Sequence, residues 1–178
     1  MAILAGIHSL LQHVQHQTVQ PNDYRPDRCP SCGKGGLWAH GAYTRKSNRR
    51  GLNQSTDAPI RIPRFLCRDC GRTCSCLPEA IPPRRWYLWD VQQTVLCLLL
   101  GSTSLNRAAT RLQPSRQTIK RWWRDLQARF IVDSAALRSR FAELGRFTGF
   151  ESFWQHCLDQ MRLSRAMLYL HQAGVLIP

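Results

Sequence analysis

The sequence predicts an α+β fold: an N-terminal β module clamped by cysteines, followed by an all-α half. Three observations carry that expectation. The stretch CPSCG at 29–33 returns as CRDCG at 67–71, so four cysteines stand in two matching frames. Between the frames, LWAHGAYTR (37–45) and APIRIPRFLC (58–67) alternate apolar and polar residues, the period of a strand. Beyond about residue 90, apolar residues instead recur every three or four positions, the period of a helix.

The charge balance speaks to partners rather than to fold. The 178 residues carry 25 Lys plus Arg against 11 Asp plus Glu, a formal net charge of +14. The lysines are Lys34, Lys46 and Lys120, so nearly all of this charge is arginine. A guanidinium is a planar donor fork suited to phosphate and to guanine edges. An excess of one sign points to a polyanionic partner. The 43% hydrophobic content is that of a folded chain and argues against global disorder. No run reaches the roughly 18 apolar residues needed to span a bilayer, so no membrane partner is expected.

Taken in order, MAILAGIHSLL lacks a positive leader and a clear cleavage site, and is not read as a signal peptide. Ile3, Leu4, Ile7, Leu10, Leu11 and Val14 recur at helical spacing, which predicts an amphipathic N-terminal helix within 1–24. The expected location is the cytoplasm, in association with the nucleoid, where thiols stay reduced. Eight cysteines in that compartment are not a disulfide scaffold.

A redox motif would use one CxxC, whereas here two occur, each followed by glycine. Two residues between ligands let one tight turn aim both sulfurs at a single ion, and the trailing glycine tolerates positive φ. Cys29, Cys32, Cys67 and Cys70 are therefore the expected ligands of one structural Zn2+, and 25–80 reads as a zinc ribbon. KSNRRGLNQSTD between the two strands reads as a basic loop, with Arg49 and Arg50 as candidate DNA contacts. Pro63 implies an edge strand or a bulge. Cys74 and Cys76 leave a different thiolate set open, although symmetric knuckles need neither. His40 reads as a packing or hydrogen-bonding residue, and Cys97 and Cys157 as core.

LPEAIPPRRWYLWD (77–90) marks a boundary, and 81–90 reads as a Pro/Arg-rich linker whose Arg84 and Arg85 are further candidate DNA contacts. The segment 91–130 reads as a helix-turn-helix. Val91 to Leu100 form an apolar helix with Gly101 as C-cap, Ser104 caps a short helix, and Ser115 caps a longer one. Ala108, Leu112, Ile119 and Trp122 fall on inner faces, with Ala109 as the small residue at the crossing. Gln113 and Pro114 depart from the residues usual at that turn. Ser115, Arg116, Gln117, Lys120 and Arg121 would meet base edges, with Arg116 forking onto guanine and Gln117 onto adenine. Arg107, Arg111 and Arg124 suit phosphates. The polar face is nearly one-signed, with only Asp125 opposing it, which is unlike a surface built only for solubility. The rest, 131–178, reads as a helical extension with helices over FWQHCLDQM and SRAMLYLHQAG, completing the core or forming a homodimer face.

With these motifs in place, the chain resembles the small accessory DNA-binding proteins of bacterial insertion sequences, such as the first open reading frame of the IS1 element. The run CPSCG…WAHGAYTR…IRIPRFLCRDCGRT…LPEAIPPRRWY also resembles a bacterial zinc-ribbon family of unknown function found near mobile-element genes. The resemblance covers about 25–130. It implies recognition of double-stranded DNA at element ends or promoters, in transposition or transcription regulation, and a transposase or recombinase as a possible partner. It carries the four knuckle cysteines onto matching positions and does not ask for Cys74.

No catalytic role is expected. Beyond the ribbon, Asp90, Asp125, Asp133, Glu143, Glu151 and Asp159 all fall in helical texture, with no mixed scaffold to gather a two-metal site. Two alternatives to duplex binding stay open: an RNA or single-strand binder that stacks bases on exposed aromatics, and an adaptor recruiting a larger recombinase.

Overall fold

The computed structural model describes residues 2–45 and 59–177. The basic loop 46–57, with Arg49 and Arg50, lies outside the described residues. The described residues form two compact units, 2–45 with 59–86, and 87–177.

The first unit is built on a four-stranded sheet: β1 (Ala2–Leu4), β2 (Leu37–Arg45), β3 (Ile60–Cys67) and β4 (Thr73–Pro78), in the order β1-β4-β3-β2. β2 and β3 pair antiparallel, from Leu37 opposite Cys67 to Arg45 opposite Ile60. Ala39 faces Phe65 but Ala42 faces Pro63, so β2 carries one extra residue there. Gly41 takes up that bulge at φ 71°. Pro63 thus sits in an interior strand and is accommodated by the bulge, not by an edge. On its other side β4 has already changed partner, pairing with β3 over Thr73–Ser75 and with β1 from Cys76.

The chain start departs from the expected helix. Ala2–Leu4 pair in parallel with Cys76–Pro78, and the helix α1 begins later, at Leu10–Val19. Ser9 caps it, its hydroxyl accepting from the Gln12 amide at 3.1 Å. α1 is held to the sheet by His13, which is fully buried. Its Nε2 lies 3.1 Å from the Arg61 carbonyl and its Nδ1 2.6 Å from the Tyr24 hydroxyl. The carbonyl can only accept, so Nε2 carries the proton and Nδ1 accepts from Tyr24. Ile7, Tyr24, Leu37, Phe65 and Cys74 form the core together with Cys29 and Cys67, so two of the knuckle cysteines are core residues as well.

The second unit is all helical: α2 (Trp89–Leu100), α3 (Leu105–Arg111), α4 (Arg116–Ala128), α5 (Phe130–Arg140), a 3-10 turn at Ala142–Arg146, α6 (Phe150–Gln160) and α7 (Leu163–Gln172). α2 ends in a two-bond cap, with Ser102 donating to the Leu99 carbonyl and Thr103 to the Leu98 carbonyl. The left-handed residue of this cap is Ser102, at φ 64°, while Gly101 stays at φ −80°. Val95, Ala108 and Ile119 knit α2, α3 and α4 together, and the fully buried small residue at α3 is Ala108 rather than Ala109. A larger core joins Trp89, Leu96, Leu126, Leu137, Phe153, Trp154, Met167 and Leu170. Trp154, Met167 and Leu170 are therefore core residues of this unit.

Two expectations change here. Residues 81–90 are not an extended spacer: Ile81, Tyr87, Leu88 and Trp89 are buried, because their apolar side chains outweigh the linker-like prolines and arginines beside them. Cys97 is exposed, whereas Cys157 is core, its thiol pushed up to about 12 by burial.

Candidate functional site

The two knuckles fold alike because their sequences impose the same hydrogen bonds. The Gly33 amide donates to the Cys29 carbonyl and the Cys29 amide to the Lys34 carbonyl. In the second knuckle, Gly71 donates to Cys67 and Cys67 to Arg72. Gly33 and Gly71 stand at φ 74° and 66°, where a side chain would be strained. Each turn therefore aims two sulfurs the same way.

Together the turns bring Cys29, Cys32, Cys67 and Cys70 into one cluster, all four sulfurs within 4.8 Å of one another. Cys29 Sγ lies 3.7 Å from Cys70 Sγ, and Cys32 Sγ lies 3.6 Å from Cys67 Sγ. A tetrahedral ion with bonds of about 2.3 Å to sulfur requires separations of about 3.8 Å. The cluster can hold one metal ion. The knuckles are tied across by Arg72, which donates to the Ser31 hydroxyl at 2.8 Å, and by Lys34 and Asp69 at 3.7 Å.

Electrostatics make the same demand. The Ser31 amide, 3.4 Å from Cys29 Sγ, and then the Cys32 amide pull the Cys29 thiol below its usual range. At Cys32 the Lys34 amide works in the same sense but is outweighed, and desolvation and the neighbouring thiols raise its pKa. Four thiols this close do not all ionise without a cation among them. Four sulfur ligands would leave an ion held there no open position for substrate, which is consistent with a structural role.

The other sulfur and imidazole candidates stay out of the cluster. Cys74 and Cys76 are buried in β4, and burial pushes the Cys76 thiol up to about 12. His40 is exposed beside the β2 bulge.

In the helical unit, Ser115 accepts from the Thr118 amide at 3.3 Å and starts α4, as Ser104 starts α3 by accepting from Arg107. α4 buries Ile119 and Leu126 and exposes Arg116, Gln117, Lys120, Arg121 and Arg124. Arg107 and Arg111 are exposed on α3. Arg84 and Arg85 lie at the end of the sheet unit, Arg84 exposed and at φ 55°. One surface feature was hidden from sequence reasoning: these arginines line a cleft with Tyr43, Arg64 and Trp86. The RRW run was its sole signal, and that signal reads equally well as a linker.

The model of the family described as a domain of unknown function, DUF6431, matches residues 29–122, just over half of the chain. The matched span opens on the first knuckle cysteine and closes within α4. No curated protein matches the chain, and no solved structure matches it.

Proposed function

This chain belongs to the DUF6431 family, and from that premise we propose that it is a sequence-specific double-stranded DNA-binding protein, a binder rather than a catalyst. In this reading α3, the turn at 112–115 and α4 are a helix-turn-helix, with α4 entering the major groove. The observation that carries it is the one-signed exposed face of α4, opposite buried Ile119 and Leu126. The first turns of α4 present Arg116, Gln117, Lys120 and Arg121 to base edges. Arg107, Arg111 and Arg124 hold phosphates, which position the helix but carry no sequence information.

The cysteine centre takes one structural Zn2+, held by Cys29, Cys32, Cys67 and Cys70, in a zinc ribbon. The ion suits this role because four thiolates close its shell. Bound there, it supplies folding energy. The biological setting that fits is accessory work for a mobile element, at element ends beside a transposase or recombinase, or promoter regulation, with a homodimer reading a repeated half-site.

The test contrasts two arginines. Arg116→Ala is expected to relax preference at one base pair, whereas Arg111→Ala is expected to weaken all duplexes alike. Binding measured on a panel of single-base variants separates the two. Identical profiles for both variants would contradict the groove assignment.

A further inference from the structure

The first turns of α5 expose apolar side chains that the α4 reading leaves unused. Ile131 is 82% exposed and its neighbour Val132 57%. Ala128, at the end of α4, and Ala135 on α5 are exposed as well. Arg129, between the two helices, stays in the right-handed helical region, and the Asp133 amide donates to its carbonyl at 2.9 Å. Helical spacing therefore carries through the joint, and Ala128, Ile131, Val132 and Ala135 share one face. Leu126 and Leu137 lie on the opposite side, in the core.

This face carries no charge, in a chain of net charge +14. The one charged residue between 130 and 137 is Asp133, which is fully buried and 3.1 Å from Arg129. Beyond the face in either direction the surface turns basic, with Arg124 and Arg140 both exposed. That contrast selects the occupant. A contact closed by a two-fold axis sets each patch against its own copy, so a basic patch repels itself. On a chain this basic, a second copy needs an uncharged face. A nucleic acid or an acidic protein would call for arginine there instead.

We infer that the face formed by Ala128, Ile131, Val132 and Ala135 is where a second copy of this chain packs, about a two-fold axis. Its use on DNA rests on the α4 reading above. From Gln117 at the reading end to Ala128 at the face, α4 rises about 17 Å. Two copies packed here, helices about 8–10 Å apart, set their reading ends at most about 44 Å apart. Inclining the two α4 helices closes that to the roughly 34–36 Å between half-sites one duplex turn apart. Four residues a side is far below the roughly 20–30 of a stable interface. The contact is therefore weak in free solution and takes effect when one duplex holds both copies close.

The test uses full-length, zinc-loaded protein, and its first arm needs no DNA. Amide resonances followed by NMR on dilution from about 1 mM, the range of a weak contact, are expected to shift at 128–135. Ile131→Gln, neutral and helix-compatible, is expected to remove those shifts. Ile131 is largely exposed, so the thermal midpoint of this variant should match the wild type. Leu11→Gln replaces another exposed apolar side chain, at 68%, and is expected to leave the shifts in place. The second arm compares a duplex bearing two copies of the bound motif, one turn apart, with a duplex bearing one. The wild type is expected to fill the paired sites cooperatively, the second copy binding at least about fivefold tighter. Ile131→Gln should lose that gain and keep its affinity for the single site. Failure of all duplex binding would count against the α4 reading alone, and the dilution arm would still decide this face. Dilution shifts absent in the wild type, surviving in Ile131→Gln or vanishing in Leu11→Gln would overturn the inference. So would paired sites filled without cooperativity by the wild type, or with cooperativity unchanged in Ile131→Gln.

Discussion

Replacing Cys32 by serine isolates what the metal centre contributes. Cys32 is exposed, unlike Cys29 and Cys67, so the substitution removes a ligand without opening a hole in the core. An exposed substitution elsewhere changes stability by about 0.5 kcal/mol or less, and Cys97→Ser, also exposed, serves as that control. A closed structural zinc site contributes about 10–16 kcal/mol of apparent binding free energy in small peptides. A whole domain keeps a net stability of about 5–15 kcal/mol. The loss of such an ion is therefore comparable to everything the sheet unit holds in reserve. Its core cluster also contains two of the ligands, so core and centre fail together. Cys32→Ser is expected to lose the slow-exchanging amides of β2 and β3 while those of α6 and α7 persist, and chelator is expected to reproduce this in the wild type. Amide exchange followed by NMR reads both units at once. A Cys32→Ser protein with protected β2 and β3 amides, indifferent to chelator, would refute the reasoning.

Two further predictions follow from local geometry. Burial holds the His13 pKa below its ordinary value, against the opposing Arg61 carbonyl and with help from His16, so the unfolded chain binds its proton first. Stability should then fall as pH drops below about 6.5, by up to about 1.4 kcal/mol per pH unit, and His13→Gln should flatten that dependence between pH 7.5 and 5.5 in urea titrations. Ser102 occupies the left-handed cap position of α2 and is exposed, so Ser102→Gly should raise stability by about 0.5–1 kcal/mol; a fall in the thermal midpoint would speak against that cap.

The features legible in the sequence were those set by short-range rules. The knuckles repeat one frame, and glycine at the fifth position announces their turn. The strands β2 and β3 declare themselves by alternation, and Ser104 and Ser115 announce helix starts by the chemistry of their hydroxyls. What escaped depended on distant partners. Ile3 and Leu4 fit a helical period as well as a strand, and pairing with Cys76–Pro78 decides for the strand. The strand β4 hid in CGRTCSC, where Cys74 and Cys76 read as small semi-buried residues following a knuckle and not as part of a strand. The helix α5 was masked by Asp133, a carboxylate on the buried face whose partner is Arg129, 3.1 Å away on the preceding turn. Burial holds that carboxyl above its usual range, opposed by Arg129. The cleft at Arg64, Arg84 and Trp86 needs the sheet and the turn together, and no local pattern contains both.

The measurement that tests the central claim most directly is selection of bound duplexes from a random library by zinc-loaded protein at near-physiological salt. An enriched motif of several base pairs, degraded at one position by Arg116→Ala, is the result expected of a major-groove reader. A repeated half-site would add the homodimer. Binding without enrichment, lost steeply as salt is raised, would mean that phosphate contacts dominate and would contradict base reading by α4.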